Sequence, residues 1–367
     1  MHIISLDIPY PPERGSVIGI FNRIKAFYHA GVEVILHLFY KEFSIPTRLG
    51  EYCKSVYLLP RKKMWQLQDL EWPLYIQSRR SEELIKLLAK DDHPVLFEGL
   101  HTLYHFFDPV LTHRKKAIRM HNIESQYYDH LAKTHSNPLK KFYYNYESKK
   151  SDQIEKKILP KTDVVFAIST ADDLYLKSIN VNSTVILPFI DNTIEIKQGI
   201  GEYALYHGDL SILENEKAVL FLLDNVFNDL EYPIYIAGYK PSVSLLNKVK
   251  NKSNVKLVIS PKEEVMKHLV CNAQLILAPF SQISGYKMKL LESIRKGRHI
   301  IASQNCEAYT EILPVIHLAE SPADWKKKII DISDKEMSVD EIHSRKEIIT
   351  THFNAGQNIQ KMIDLLF

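Results

Sequence analysis

Short apolar runs alternate with longer stretches of helical periodicity along nearly the whole chain. The runs predict strands at residues 3–6, 32–38, 56–59, 95–98, 117–120, 164–168 and 185–187, and then at 203–206, 234–237, 255–259, 275–278, 300–302 and 315–318. The stretches between most of these runs favour helices. Strand–helix–strand alternation implies right-handed crossovers and parallel sheets, so the pattern indicates an α/β fold.

The alternation is interrupted once, at residues 187–210, where Pro, Asn, Asp and Gly accumulate before a new strand. A chain of 367 residues also exceeds the size at which one hydrophobic core keeps growing. We therefore predict two doubly wound, Rossmann-like domains, spanning residues 1–188 and 189–352. Ligands of such sheets bind beyond the carboxyl ends of the strands, so we expect the two domains to face a substrate cleft.

Composition excludes several classes of protein. The net charge of +3 gives no reason to expect a nucleic-acid-binding protein. Cys53, Cys271 and Cys306 are far apart in the sequence, and no two of them have the short spacing of a metal-binding or redox motif. This argues against disulfides or a zinc site. The chain shows neither a signal-peptide pattern nor a long uncharged apolar run. We predict a cytoplasmic protein, with peripheral association at the inner face of the membrane as the alternative.

The first candidate site is the loop after the first strand, "DIPYPPERGSVIGIF". Gly15 and Ser16 stand where a helix is predicted to begin. A glycine there lets backbone N–H groups approach an anion, and the helix dipole favours negative charge. A plain capped helix after a rigid loop explains the same residues equally well.

Polar residues also follow two strands in the middle of the first domain. Glu98, Gly99 and His101 follow one strand, and His121 and Asn122 follow the next. A single His in such a place is more often a hydrogen-bonded structural residue than a catalyst. Because several polar groups converge at one sheet edge, we nominate Glu98 and His121 as catalytic candidates.

The third candidate is the helix predicted within "QISGYKMKLLESIRKGRHIIAS", residues 282–303. If the helix begins near Tyr286, then Gly285, Lys289 and Glu292 share one face. Gly285 would let a phosphate touch the backbone, Lys289 would add positive charge, and Glu292 would accept hydrogen bonds from ribose hydroxyls. The alternative is a surface ion pair between Lys289 and Glu292, which does not explain Gly285.

Together these segments resemble the GT-B glycosyltransferases of family four. That family has a glycine-rich loop after the first strand, a His after a middle strand of the first domain, and a signature with two glutamates eight residues apart. Glu292 matches the second glutamate, followed by Gly297 and a strand, whereas Ser284 stands in place of the first. "MHNIESQYYDHLAK" and "GYKMKLLE" resemble a bacterial capsule or polysaccharide branch of the family.

The resemblance implies roles for the candidate residues. Glu292 would hold the ribose of a nucleotide-sugar donor, while Lys289, Lys287 and the amides near Gly285 and Tyr286 would meet its diphosphate. The remaining donor-side candidates are Gly15, Ser16, Gly208 and Ser284. His121 would lie near the transferring sugar. Ser284 removes a donor contact that the family uses, and Asp209 stands where the family often has an Arg.

The resemblance also implies a mechanism and a chain path. Transfer would proceed with retention of configuration and without a metal or other cofactor, in agreement with the lack of an Asp-x-Asp motif. Positive side chains and helix dipoles can stabilise a departing nucleoside diphosphate without a cation. The C-terminal helix would cross back, so residues 353–367 are assigned to the first domain.

A basic segment, residues 133–161, contains eight lysines and three acidic residues, with Leu139, Phe142, Tyr143 and Tyr146 at helical spacing. We favour a helix that covers the first domain and exposes a solvated basic face. The alternative is an acceptor or membrane-surface patch, since basic amphipathic segments suit anionic lipid headgroups.

The leading functional hypothesis is a hexosyltransferase that extends a surface polysaccharide or glycan from a nucleotide-diphosphate sugar, with a glycan or lipid-linked acceptor. One alternative is a sugar-nucleotide 2-epimerase, which has the same two-domain architecture. Another is a catalytically degenerate pair of domains that binds a nucleotide or a partner transferase. Ser284 and Asp209, which depart from the family pattern, favour this alternative.

Overall fold

The computed structural model describes residues 1–11, 15–42, 48–250, 252–281 and 285–367. At residues 15 and 16 it describes the backbone alone. The chain forms two compact units. Unit 1 contains residues 1–191, 285–286 and 353–367, and unit 2 contains residues 192–281 and 287–352. No helix in the described ranges is both long and apolar enough to cross a bilayer.

The strands are β1 His2–Ser5, β2 Ile35–Tyr40, β3 Ser55–Pro60, β4 Val95–Glu98, β5 Lys116–Arg119, β6 Val164–Ala167, β7 Ser183–Val185, β8 Ala204–Asp209, β9 Ile234–Tyr239, β10 Val255–Ile259, β11 Leu275–Ala278, β12 His299–Ser303 and β13 His317–Ala319. The α-helices are α1 Gly15–His29, α2 Leu74–Gln77, α3 Glu82–Leu88, α4 Glu124–Thr134, α5 Pro138–Ile158, α6 Thr170–Ser178, α7 Leu213–Phe221, α8 Val243–Val249, α9 Glu263–Asn272, α10 Met288–Lys296, α11 Pro322–Ser333, α12 Val339–His352 and α13 Ala355–Leu366.

Unit 1 is built on a parallel seven-stranded sheet with the order β3-β2-β1-β4-β5-β6-β7. β1 lies in the interior of the sheet, where His2 pairs with Ile35 on one side and with Val95 on the other. The strand order reverses between β1 and β4. In doubly wound sheets, ligands bind beyond the carboxyl ends of the strands at such a reversal.

Two hydrophobic cores cover the opposite faces of this sheet. Ile3 and Leu96 belong to one core, whereas their neighbours Ile4 and Phe97 belong to the other. Successive side chains of a strand point to opposite faces, so these fully buried strands appear in the sequence as continuous apolar runs. The helices begin at side-chain caps where the sequence offers them: Ser81 caps α3, Asn137 caps α5 and Ser169 caps α6.

The C-terminal helix α13 packs on unit 1, as the sequence analysis predicted. Its buried side chains Ile359, Met362 and Leu366 join the core that contains Ile20 and Ile24 of α1. Residues spaced three and four apart lie on one face of a helix, which explains the spacing of these three residues.

Unit 2 repeats the architecture with a parallel six-stranded sheet in the order β10-β9-β8-β11-β12-β13. Its order reverses between β8 and β11, and its core includes Tyr206, Leu277 and Ile301 from the sheet and Trp325 from α11. The predicted α/β class with two doubly wound parallel sheets is therefore confirmed.

The start of α10 differs from the prediction. The helix begins at Met288 rather than near Tyr286. Gly285 has a φ of +75°, which is left-handed, and Lys287 is extended, so neither can continue a right-handed helix. Gly285 and Tyr286 belong to unit 1. The prediction that Gly285 and Glu292 share one helix face is therefore wrong.

Candidate functional site

In unit 1, Glu98 is the centre of a buried ion-pair network at the carboxyl end of β4. Arg23 of α1 binds it with two hydrogen bonds, Nε to Oε1 at 2.8 Å and Nη2 to Oε2 at 2.5 Å. His121 Nε2 lies 2.9 Å from Glu98 Oε2. Burial alone would raise the pKa of Glu98, but Arg23 and His121 hold that pKa at about 2. Glu98 is therefore ionised and accepts all three bonds.

His121 follows β5 and is held in one tautomer by this network. Burial lowers the pKa of His121 despite the opposing effect of Glu98, so the ring is neutral near pH 7. Because Glu98 is an acceptor, Nε2 of His121 carries the proton and Nδ1 is the acceptor of the ring. Glu98 thus has the geometry of a residue that positions His121.

Two glycines let the backbone approach His121. Gly99 has a φ of +77°, and a Cβ atom there would come within 3.1 Å of the His121 ring. A Cβ atom on Gly285 would overlap the His121 carbonyl oxygen and Asn122 Oδ1. Gly285 is therefore required by close packing inside unit 1, a reason that the sequence analysis did not consider.

A second buried group lies beside this network. His101 Nδ1 is 3.8 Å from Glu124 Oε1, and burial together with the charge of Glu155 raises the pKa of Glu124 to about 8. Glu124 is thus protonated at neutral pH, in contrast to Glu98. Two carboxyl groups with such different pKa values can play different roles, one as an acceptor and one as a donor.

In unit 2, the Lys289 amine lies at the reversal point of the sheet. Its Nζ is 3.0 Å from Asn215 Oδ1 and sits over the rings of Tyr206 in β8 and of Phe280, two residues beyond β11, at 4.9 and 4.8 Å from their centres. A Cβ atom on Gly208 would be 3.4 Å from Nζ. Gly208 and Lys289 are thus neighbours at the carboxyl end of β8.

The electrostatics make Lys289 sensitive to an incoming anion. Burial and the nearby charge of Lys287 lower the pKa of Lys289 to about 7, against the opposing effect of Glu214. Lys287 stands just before the helix, 3.9 Å from Glu214 Oε1. Backbone N–H groups in the first turn of α10 lack intrahelical acceptors, and the helix dipole adds positive potential there.

Glu292 follows Lys289 by three residues on α10 and makes its ion pairs with the last turn of the helix. It pairs with Arg295 at 2.6 Å and Lys296 at 2.9 Å, and its side chain is 38% exposed. The surface pair with Lys289 that the sequence allowed is replaced by these two pairs. The side chain is partly open to solvent, so its oxygens can still accept hydrogen bonds from hydroxyls.

The structure brings the predicted residues into two groups. Glu98, His121 and Gly285 lie together in unit 1, and Gly208, Lys287 and Lys289 lie together in unit 2. Gly15 begins α1, followed by Ser16. Ser284 lies outside the described residues. Among the described residues no group of three His, Cys, Asp or Glu side chains is arranged to hold a metal ion.

Sequence reasoning missed Arg23, Asn215 and the aromatic pair around Lys289. Arg23 had a detectable signal, since it interrupts the apolar stripe of α1 between Ile20 and Ile24. A buried arginine requires a carboxylate, and Glu98 ends an otherwise apolar strand. Asn215 had no such signal, because its role depends on where α7 meets β8.

Comparisons with known proteins agree with this architecture. No family model matches the chain. A Klebsiella pneumoniae protein described as "Uncharacterized 44.6 kDa protein in cps region" is 26% identical over 326 residues, covering 82% of each chain. Similar solved structures include sucrose-phosphate synthase from Thermosynechococcus elongatus, with a TM-score of 0.72, 13% identity, and coverage of 99% of this chain and 97% of that one.

Two further similar structures contain ligands. HepE of Anabaena, in complex with UDP and glucose, has a TM-score of 0.68 at 11% identity, covering 100% of this chain and 98% of that one. A TarM variant of S. aureus, in complex with fondaparinux, alpha-GlcNAc-glycerol and UDP, has a TM-score of 0.69 at 11% identity, covering 100% and 99%. With its two doubly wound parallel sheets, the chain has the fold of the GT-B glycosyltransferases.

Proposed function

We propose that the protein is a glycosyltransferase that moves a hexosyl group from a UDP-sugar to a glycan or lipid-linked acceptor in surface polysaccharide biosynthesis. The observation that carries the proposal is the buried Lys289 amine at the reversal point of the second sheet. A cation at this place suits the diphosphate of a nucleotide sugar. The UDP in the HepE and TarM structures supports uracil as the base of the donor.

The donor-binding residues of unit 2 contact different parts of the donor according to their charge. Lys289, Lys287 and the first N–H groups of α10 stabilise the diphosphate, and Glu292 accepts hydrogen bonds from the ribose. The bond between the sugar C1 atom and the β-phosphate oxygen breaks, and its electron pair stays on that oxygen. C1 forms a bond to the acceptor hydroxyl oxygen, whose proton is released to water. Lys289 then stabilises the negative charge that develops on UDP.

The residues of unit 1 are assigned by resemblance. Neutral His121, oriented by Glu98, would contact the transferring sugar, with Gly15 and Ser16 on the donor side. We propose retention of configuration and metal-independent transfer on the same basis. The cps-region name of the Klebsiella relative favours a capsule-type polysaccharide as the product.

A thermal-shift screen tests the first step. UDP, GDP, ADP and their sugar conjugates are each added to the whole protein, because a ligand that binds only the folded state raises Tm by mass action. We expect the UDP series to give the largest shift and Lys289→Met to lose it. No shift with any nucleotide would contradict the proposal.

Product analysis then separates the remaining alternatives. The UDP-sugar that binds is incubated with lipid-linked and free glycan acceptors, and products are identified by mass spectrometry and NMR. A larger glycan with an unchanged anomeric configuration is the expected result. An isomerised nucleotide sugar without a larger product would indicate a 2-epimerase, and binding without turnover across acceptors would indicate a degenerate scaffold.

A further inference from the structure

The corner between α4 and α5 carries apolar side chains that no other described part of unit 1 covers. Every residue from 136 to 142 is exposed, and Leu139 and Phe142 are 81% and 76% exposed. The corner is nevertheless well ordered, because Asn137 Oδ1 accepts hydrogen bonds from the Leu139 and Lys140 N–H groups. Folding alone gives no reason for large apolar side chains here.

A second exposed apolar segment, residues 62–70, lies beside the same helix. Trp65 is 71% exposed, and Met64 and Leu70 are similarly open. The continuation of this segment contacts α5 directly, since the Leu74 N–H donates to Glu147 Oε1 at 3.1 Å. We call the exposed residues of 62–70 and 136–142 the α5 surface.

The α5 surface is also basic. Lys62, Lys63, Lys140 and Lys141 are exposed and take part in none of the ion pairs found within the described ranges. Lys63 Nζ lies 5.0 Å from the centre of the Trp65 ring. Two other lysines of these helices are neutralised by carboxylates one turn away, in the pairs Lys133–Asp129 and Lys156–Asp152.

We propose that the α5 surface binds an anionic lipid bilayer. Tryptophan, phenylalanine and leucine flanked by lysines are the composition that enters the headgroup boundary, where the rings and aliphatic chains leave water and the amines meet lipid phosphates. A bound glycan would stack on the aromatic rings, but glycan binding does not explain why Leu139, Met64 and Leu70 are exposed. The proposal goes beyond sugar transfer, and it does not depend on donor chemistry.

Trp65 provides a direct readout. The chain has three tryptophans, and the other two, Trp72 and Trp325, are buried. The whole protein is mixed with phosphatidylcholine vesicles with and without phosphatidylglycerol, because anionic headgroups attract lysines close to the bilayer surface. We expect cosedimentation with the anionic vesicles, release by high salt, and a blue shift of tryptophan fluorescence. Trp65→Phe should remove the blue shift while leaving most of the binding.

Two double variants separate the contributions. Leu139→Ser with Phe142→Ser, and Lys140→Glu with Lys141→Glu, should each weaken vesicle binding about tenfold or more. Both change exposed residues, so melting temperatures should stay near that of the wild type. The matched control, Lys250→Glu with Lys346→Glu, changes the same net charge on exposed lysines of unit 2 and should retain more binding than the α5 double reversal.

Several outcomes would overturn the proposal. Absence of binding to anionic vesicles at low salt would do so, and so would equal losses in the α5 and unit 2 charge reversals, which would indicate unspecific attraction. Loss of binding to a soluble glycan, with vesicle binding intact, would reassign the surface to the acceptor. UDP binding by these variants is measured in parallel, so a failure of the membrane proposal leaves the transferase proposal separately tested.

Discussion

At the scale of single residues, the two charged sites differ in how they pair their charges. Glu98 is saturated by Arg23 and His121 inside the core of unit 1. The Lys289 amine is hydrogen-bonded to neutral oxygens and lies over an aromatic ring, and the charges of Lys287 and Glu214 act on it from nearby. A buried amine without a carboxylate partner is poised to accept an anion, whereas a paired carboxylate mainly fixes its neighbours.

Replacing Glu98 with Gln should destabilise the protein strongly. The change leaves Arg23 as a buried cation without its counter-ion, which typically costs about 3 to 5 kcal/mol. His121→Ala keeps the Arg23–Glu98 pair and should lower the free energy of unfolding by less. Urea denaturation of the three proteins measures both effects. A Glu98→Gln variant within 1 kcal/mol or so of the wild type would show that the ion pair is not the centre of this network.

Donor binding should weaken as pH rises above 7. In the free protein the Lys289 pKa is about 7, and a bound diphosphate would raise it, so binding above pH 7 takes up a proton. The affinity for the UDP-sugar selected by thermal shift should be nearly constant below pH 7 and fall roughly tenfold by pH 8.5. The diphosphate of such a sugar does not itself titrate in this window.

Calorimetry in two buffers of different ionisation enthalpy measures this proton uptake directly. Lys289→Met keeps a similar volume between Tyr206 and Phe280 but cannot take up a proton. It should bind weakly and with no pH dependence across the same window. A wild-type affinity that is flat from pH 6.5 to 8.5 would remove Lys289 from the diphosphate site.

At the scale of elements, α5 holds two other segments in place through buried carboxyl groups. Glu147 accepts from the Leu74 N–H at the start of α2, and Glu155 accepts from the Ser125 N–H and hydroxyl in the first turn of α4. An ionised carboxylate would suit the helix N-terminus, but burial outweighs this and raises the pKa of Glu155 to about 7.

The contribution of Glu155 to stability should fall as pH rises. Its folded pKa is raised above the ordinary value of 4.5, so protonation favours the folded state, and this advantage is lost between about pH 4.5 and pH 7. Glu155→Gln keeps an acceptor for the Ser125 N–H and stays neutral. The free energy of unfolding of the variant, relative to that of the wild type, should therefore be about 1 kcal/mol or more higher at pH 8 than at pH 5.

Chemical denaturation at the two pH values measures that difference. Asp152→Asn, three residues earlier on α5, removes the surface pair with Lys156 and a minor part of the repulsion that raises the pKa of Glu155, and it should change stability by less than about 1 kcal/mol at either pH. A Glu155→Gln difference that stays constant from pH 5 to pH 8 would mean that Glu155 is ionised throughout.

The elements themselves were largely predictable, and their contacts were not. Buried parallel strands appear as apolar runs, and the 3.6-residue spacing of Ile359, Met362 and Leu366 indicated the packed face of α13. The start of α10 was misplaced because the left-handed Gly285 is fixed by the loop after β5, far away in sequence. Local patterns carry propensity, whereas such a position is decided by tertiary packing.

At the scale of the whole molecule, the two units contribute different chemistry. Unit 2 carries the cations proposed for the donor diphosphate, and unit 1 carries the neutral His121 and the α5 surface. Two residues important to these sites, Arg23 and Asn215, come from helices that pack beside the strand ends. The sequence placed the carboxyl ends of the strands to within three residues, but the identity of their neighbours required the folded structure.

Hydrogen exchange tests this division over the complete chain. Adding UDP should slow amide exchange in unit 2 at residues 208–216 and 287–292, because these segments surround Lys289 and include the first N–H groups of α10. Strand β10, at the far edge of the same sheet, is the internal control and should not change. In Lys289→Met the protection should disappear at the same UDP concentration. Protection confined to residues 98–124 of unit 1 would instead place the nucleotide beside His121, and the assignment of the donor to unit 2 would be wrong.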